Sequence, residues 1–191
     1  MDTKIAIISS KNYLLVIISR IFTALDCAKI IIPNFVKQIL KIKRMNKQLT
    51  IALVAHDRRK ADMVEWAIFN ADMLSKHKLI CTGTTGGLIQ QALQDKGVEV
   101  DITCMNSGPL GGDAEIAALV VRKQVNLAVF LIDDLNSQPH EADIQMLLRQ
   151  CRVHNVPIAC NRYSADLMIT STLWDMEDYV PREPRYINYN R

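Results

Sequence analysis

Residues 127–143 read LAVFLIDDLNSQPHEAD, an uninterrupted apolar run followed by a polar loop and the acidic start of a helix. Six apolar residues without alternation are typical of a strand that is buried on both faces, as in a parallel sheet. Consecutive parallel strands need a crossover connection, which is usually a helix. This stretch therefore predicts an α/β domain in which strands and helices alternate.

The flanking sequence shows the same alternation five times. Short apolar runs predict strands at 50–55, 79–81, 98–105, 127–132 and 157–160, and helical spacing predicts helices at 59–75, 88–96, 114–123, 141–154 and from 162 to about 169. We expect a doubly wound domain with a mainly five-stranded parallel sheet and helices on both faces.

The composition is that of a globular protein. Of the 191 residues, 49% are hydrophobic and 23% charged, which argues against wholesale disorder. The longest nearly uncharged apolar run, Tyr13 to Ile18, is far shorter than the roughly 20 residues of a membrane-spanning helix.

The five cysteines show no C-x-x-C spacing, which argues against a zinc ribbon or a disulfide framework and favours the cytoplasm. Two of them, Cys81 and Cys104, fall within predicted strands, so we expect both in the core.

Charge divides the chain into two parts. Residues 1–44 hold eight Lys/Arg and two Asp/Glu, a net charge of +6, whereas residues 45–191 hold fifteen and eighteen, a net charge of −3. We interpret 1–44 as a basic extension outside the fold and 45–191 as the domain, with Met45 as the native start. A secretory signal, or a basic amphipathic segment that contacts a membrane, are the alternatives for 1–44. The acidic domain gives no reason to expect a nucleic-acid partner.

The unusual residues follow the strands, at the edge where doubly wound sheets bind ligands. The run TGTTGG (82–87) contains Thr82, Gly83, Thr84 and Thr85, and it leads into a helix N-terminus that suits phosphate. A threonine N-cap on a tight turn is the alternative, since the run is neither a P-loop nor a dinucleotide fingerprint. Other residues on these loops favour the phosphate interpretation, namely Lys60, Ser107 and Gly108.

Titratable side chains lie on the same loops. Asp113 closes a Gly-Gly turn and is either a helix N-cap or a carboxylate base. His140 and Asp143 lie three apart at a helix start, and His56 follows the first strand. No metal-binding spacing is present, so we expect no metal. A carboxylate, two imidazoles and a phosphate cradle predict proton abstraction beside the carbonyl of a small phosphorylated ketone.

Four motifs carry a family resemblance. The runs IALVAHDRRK (51–60), TGTTGG (82–87), SGPLGGD (107–113) and DDLNSQPHEAD (133–143) together resemble methylglyoxal synthases, over about residues 50–185. The resemblance implies a cytoplasmic homohexamer that converts dihydroxyacetone phosphate to methylglyoxal and inorganic phosphate without a cofactor. It also implies cooperative inhibition by phosphate and a role as a bypass of lower glycolysis.

The resemblance also implies roles for single residues. Asp113 matches the family's catalytic acid/base, His140 and His56 match its substrate contacts, and Asp143 matches its second carboxylate. Lys60, Thr82, Gly83, Thr84, Thr85, Ser107 and Gly108 fall in its phosphate- and substrate-binding motifs.

Two departures accompany the resemblance. Asp134 stands where the family usually has proline, and the family's C-terminal phosphate-contacting arginine matches neither Arg185 nor Arg191 cleanly. The same fold also serves as a ligand-sensing module in carbamoyl phosphate synthetase and as a catalytic domain in purine biosynthesis. A sensor would keep the phosphate cradle and would not need Asp113, His140 or Asp143, so we favour the enzyme.

Overall fold

The computed structural model describes residues 48–136, 140–176, 178–182 and 184. Within them, five strands form one sheet whose neighbours all run parallel, in the order β3-β2-β1-β4-β5. The strands are β1 (Thr50–Ala55), β2 (Lys78–Cys81), β3 (Asp101–Cys104), β4 (Leu127–Leu131) and β5 (Ile158–Ala159). The prediction of a five-stranded parallel sheet is therefore confirmed.

Helices connect the strands. They are α1 (Lys60–Phe69), α2 (Ala71–Leu74), α3 (Gly83–Gln94), α4 (Gly112–Val121), α5 (Glu141–Val153) and α6 (Arg162–Ile169). Short 3-10 turns lie at Asp57–Arg59, Gly108–Leu110 and Thr172–Asp175. No helix in the described part of the chain is long and apolar enough to cross a membrane.

The central strands are buried on both faces because alternate side chains point to opposite sides of a strand. Ile51 and Leu53 of β1 pack in one cluster with Trp66 of α1 and with residues of α3 and α6. Ala52 and Val54 pack in a second cluster with residues of α4 and α5. Every residue of β4 is buried, as its unbroken apolar run predicts. The helices thus cover both faces of the sheet, as expected.

Three local predictions are wrong. The second helix begins at Gly83 and not at residue 88, so TGTTGG forms the first turns of α3. Asp113 lies inside the first turn of α4 and is not its N-cap; Gly111 occupies that position with φ +93°, where a glycine is favoured. Cys104 is exposed, unlike Cys81, because β3 is an edge strand.

The proposed boundary between residues 44 and 45 lies outside the described residues, as do Arg185 and Arg191. These interpretations stay predictions.

Candidate active site

A cavity of about 280 Å³ opens at the carboxyl ends of the parallel strands, where the sequence places its unusual residues. Gly83, Thr85 and Asp143 are not among the residues that line it. Eight predicted site residues line the cavity, namely His56, Lys60, Thr82, Thr84, Ser107, Gly108, Asp113 and His140. The rest of its wall is formed by Val54, Ala55, Asp57, Pro109 and Phe130.

Asp113 is the buried acid of this cavity. Its side chain is 1% exposed, and neither carboxylate oxygen has a hydrogen-bond partner. Burial raises the pKa of Asp113; the nearby His140 opposes this rise and the charge of Asp143 adds to it. The α4 N-terminus would by itself favour the ionised form, so desolvation is the larger effect. A buried carboxylate with a raised pKa and free oxygens is suited to accept a proton.

His140 lies beside this carboxylate. Its Nε2 is 3.4 Å from Asp113 Oδ2, and its Nδ1 is buried without a partner. The imidazole is held at the residue that precedes α5, next to the positive end of that helix. His140 therefore presents a hydrogen-bonding ring to whatever binds next to Asp113.

Gly108 leaves open the space between these two groups. A Cβ atom on Gly108 would lie 3.1 Å from Asp113 Oδ2 and 3.2 Å from His140 Nε2. Both contacts would be tighter than ordinary van der Waals contacts. The absence of a side chain at this position keeps the acid and the imidazole accessible to one small ligand.

His56 supplies a third polar group whose proton position is determined by the backbone. The N–H of Asp133 donates to His56 Nδ1 at 2.9 Å, so Nδ1 is an acceptor and the ring proton of the neutral imidazole is on Nε2. Burial lowers the pKa of His56, and His140 lowers it further. The carboxylates Asp133, Glu141 and Asp134 act in the opposite direction without reversing the shift. His56 is thus a neutral donor whose buried Nε2 has no partner in the protein.

The other end of the cavity is suited to an anion. Lys60 lines it, and its Nζ is 2.6 Å from Oδ1 of Asp57, whose side chain is 91% exposed. Thr82 and Thr84 lie at the N-terminus of α3, where the helix dipole favours negative charge. Lys60, the Thr84 hydroxyl group and the helix N-terminus make up the phosphate cradle that the sequence predicts, whereas the Thr82 hydroxyl group already donates to Thr85 Oγ1 at 3.2 Å.

Asn106 connects this cradle to the loop that carries Ser107 and Gly108. Its carbonyl oxygen accepts a hydrogen bond from the N–H of Gly83 at 3.1 Å. Its own N–H and its side-chain amide both donate to the carboxylate of Glu115, each at 2.9 Å. Glu115 lies two residues after Asp113 on α4, so one bidentate contact fixes the loop relative to the buried acid.

Sequence reasoning did not find this contact, nor the role of Phe130. The Phe130 ring packs edge-on against His56, with centroids 5.1 Å apart, and forms part of the cavity wall. The apolar run of β4 marks Phe130 only as a core residue. Among the described residues, no group of three or more His, Cys, Asp or Glu side chains is arranged to hold a metal ion.

The fold and this cavity place the chain in a defined class of α/β domains. A family model described as "MGS-like domain" matches residues 62–160. A crystal structure of methylglyoxal synthase from Elizabethkingia anophelis NUHP1 superposes with a TM-score of 0.65 and 41% identity, over 74% of this chain and 90% of that one.

Curated relatives narrow the class to one family. The methylglyoxal synthase of Treponema socranskii is 68% identical over 147 residues, which are 77% of this chain and 93% of that protein. Those of Pseudoalteromonas atlantica and Coxiella burnetii are 46% and 44% identical, over 66% and 73% of this chain and 90% and 93% of theirs. The chain belongs to the methylglyoxal synthase family, whose shared name indicates an enzyme.

Proposed function

We propose that this protein converts dihydroxyacetone phosphate to methylglyoxal and inorganic phosphate, as a carbon–oxygen lyase. One observation carries the proposal: three residues that line one cavity hold four buried polar atoms without a hydrogen-bond partner in the protein, namely both oxygens of Asp113, Nε2 of His56 and Nδ1 of His140. Buried polar groups are almost always paired, so a set left unpaired in one cavity indicates a ligand that pairs with them.

The reaction would begin at the buried acid. Asp113 would remove a proton from the hydroxymethyl carbon of the substrate, because its raised pKa makes it a stronger base than an ordinary carboxylate. The carbonyl oxygen gains negative charge in this step, and His140 would donate a hydrogen bond to it. His56 offers a second donor, from its Nε2–H. The product of this step is an enediolate.

The enediolate would then expel phosphate. The oxygen on the former hydroxymethyl carbon would lose its proton to the leaving phosphate and become a carbonyl oxygen. The enediolate double bond would shift to the carbon that carries phosphate, and the bond between that carbon and the phosphate oxygen would break. The released enol tautomerises to methylglyoxal. Lys60 and the N-terminus of α3 would stabilise the leaving dianion, as cations and helix N-termini do. Loss of phosphate requires the breaking bond to lie perpendicular to the enediolate plane, so that it overlaps the π system.

The test is a product assay on the purified full-length chain with dihydroxyacetone phosphate. Methylglyoxal and inorganic phosphate should appear in equal amounts. An Asp113→Asn preparation purified in parallel controls for host enzymes. Two results would overturn the proposal. Glyceraldehyde 3-phosphate without phosphate release would make the protein an isomerase, and no product from a folded protein that binds phosphate would make it a sensor.

Asp143 should tune the acid rather than replace it. The charge of Asp143 helps to raise the pKa of Asp113, so Asp143→Asn lowers that pKa. Because the base must be deprotonated, the acid limb of kcat/KM against pH should move to lower pH. Activity at pH 7 should fall on the order of tenfold, since a more acidic carboxylate is a weaker base.

The matched control for Asp143 is Glu141→Gln, which removes a neighbouring charge from the same helix turn. That charge acts on His56 and is not among the causes of the Asp113 shift, so the acid limb should stay in place. A loss from Asp143→Asn as large as that from Asp113→Asn would instead assign proton abstraction to Asp143.

Glu115 should act as a positioning residue. Glu115→Ala removes the two hydrogen bonds that Asn106 donates to Glu115 and leaves only the bond from the Gly83 N–H to the Asn106 carbonyl oxygen. The loop that carries Gly108 is then held less firmly. A displacement near 1 Å costs about 100-fold in rate, but these hydrogen bonds are solvent-exposed, so we expect a loss of about tenfold in kcat/KM. The loss should appear mainly in kcat. Glu115→Gln, which keeps one acceptor oxygen, should recover part of it. Equal activity per folded molecule would show a purely structural contact.

We further propose that the enzyme is a cytoplasmic homohexamer that phosphate inhibits cooperatively, and that it bypasses lower glycolysis. Large apolar side chains exposed in the single chain support association, with Phe69, Leu110, Leu135, Tyr163 and Val180 all at least 74% exposed. Sedimentation velocity of the full chain measures the assembly, and a monomer would contradict the proposal.

We also propose that the folded domain spans residues 45–191 and that residues 1–44 are a basic extension outside it. The family model supports this division, because its match, residues 62–160, lies within the proposed domain. The T. socranskii relative also supports it, because its match covers 147 residues, which are 77% of this chain. A chain that starts at Met45 should keep the activity of the full chain and should not differ from it in binding to vesicles.

A further inference from the structure

Two cysteines form a neighbouring pair beneath the phosphate cradle. Cys81 ends β2, Cys104 ends β3, and the two are register partners in the parallel ladder. Adjacent strands lie about 4.8 Å apart, and side chains of register partners point to the same face of the sheet. Disulfide-bonded cysteines have Cα atoms roughly 4.4–6.8 Å apart, so this pair meets the backbone requirement for a disulfide.

Gly86 shows that both side chains face α3. A Cβ atom on Gly86 would lie 2.5 Å from Cys104 Sγ and 2.9 Å from Cys81 Cβ. The two side chains therefore occupy one position under the first turns of α3, and only a glycine fits above them. The N-terminus of that same helix forms the anion end of the cavity.

The two thiols differ in access. Cys104 is exposed on the edge strand, whereas Cys81 is fully buried. Burial raises the pKa of Cys81 to about 12, with the neighbouring Cys104 as the next cause. An oxidant from solvent would thus meet Cys104 first, and Cys81 is placed to react with the oxidised sulfur.

We propose that Cys81 and Cys104 form a peroxide-sensitive modification site whose disulfide disables the phosphate cradle. The Cys104 thiolate attacks one oxygen of hydrogen peroxide, the O–O bond breaks, and Cys104 becomes a sulfenic acid. The hydroxide that leaves takes up the proton that the Cys104 thiol released and becomes the first molecule of water. The Cys81 thiol then attacks that sulfur, the S–O bond breaks, and water leaves with the thiol proton. In sum, two thiols lose two electrons, and hydrogen peroxide becomes two molecules of water.

The disulfide would act on the cavity through short connections. Thr82 directly follows Cys81, and Asn106, two residues after Cys104, binds the N–H of Gly83. Drawing the two sulfurs into bonding distance pulls the ends of β2 and β3 together under Gly86. The α3 N-terminus and the loop of Ser107 must then shift relative to each other. Phosphate binding depends on that arrangement.

The experiment uses the full-length chain, hydrogen peroxide and three readouts. Peptide mass spectrometry should find a Cys81–Cys104 disulfide, with the loss of two hydrogens. Affinity for inorganic phosphate should fall at least tenfold, activity should fall with it, and dithiothreitol should restore both. The activity readout rests on the proposed function, but the disulfide and phosphate readouts do not. A folded protein with the disulfide but no activity at the outset contradicts the proposed function alone.

Three variants complete the test. Cys104→Ala should keep its phosphate affinity after peroxide treatment and should form no cross-link. Cys81→Ala should accumulate the sulfenic acid on Cys104, which dimedone traps. Cys160→Ala removes another exposed thiol and should remain as sensitive as the wild type. The proposal is overturned if Cys104 is oxidised in the wild type without the disulfide, or if the disulfide forms while phosphate affinity is unchanged.

Discussion

Asp113→Asn should lower kcat by roughly 10³- to 10⁴-fold while leaving the fold intact. General acid–base groups contribute up to about 10⁴-fold, and an amide of the same shape cannot take a proton at neutral pH. KM should change little, because the phosphate cradle lies at the other end of the cavity. Initial rates of methylglyoxal formation measure the effect. Asp101→Asn, which alters an exposed carboxylate on β3, is the matched control and should be fully active.

The same substitution should stabilise the protein. The pKa of Asp113 is raised in the folded state, so folding disfavours its ionised form. The wild type therefore loses stability as pH rises from the ordinary carboxyl range through the raised value. The Asn variant does not have this loss, and its Tm at pH 7 should exceed that of the wild type. A kcat within tenfold of the wild type, or a lower Tm at pH 7, would contradict the buried-base assignment.

His140→Ala should have the second-largest effect, a loss of roughly 10²- to 10³-fold in kcat. Removing one donor to a developing oxyanion typically costs this much. The variant should also move the acid limb of the pH profile to higher pH, because His140 holds down the pKa of Asp113. This direction is opposite to that expected for Asp143→Asn. The two variants together therefore test whether His140 lowers and Asp143 raises the pKa of Asp113.

His154→Ala is the matched control for His140, since it alters a histidine at the other end of α5. It should leave both kcat and the acid limb unchanged. His140→Gln should recover part of the activity if hydrogen-bond donation is the function of the ring. An acid limb that moves to lower pH in His140→Ala would contradict the placement of the ring beside Asp113.

The main elements of the fold were predictable because their signals are local. The apolar runs of β1 and β4 are long enough to identify buried strands. The start of α3 was not predictable, because GTTGG has low helix propensity and two of its glycines, Gly83 and Gly86, are required by neighbours distant in sequence. A Cβ on Gly83 would lie 2.9 Å from the carbonyl oxygen of Met105, and Gly86 lies over the two cysteines. Tertiary packing decides this helix start.

The location of the site was predictable for a similar reason. Parallel strands bring their carboxyl ends to one edge, so His56, Thr82, Asp113 and His140 are expected to lie close together. The contacts that orient these side chains were not predictable. The Asp133 N–H that determines the His56 tautomer lies 77 residues away, and the contact of Glu115 with Asn106 depends on the turn between them. Both contacts depend on how the folded chain brings these residues together.

The contact between Asp133 and His56 has a consequence for which substitutions the site tolerates. The ring proton of His56 is placed by a backbone N–H, which every residue except proline possesses. Position 133 can therefore vary in its side chain without losing this control, and only proline is barred. The tautomer of His56 is therefore set by the course of the main chain at position 133 and not by the side chain that stands there.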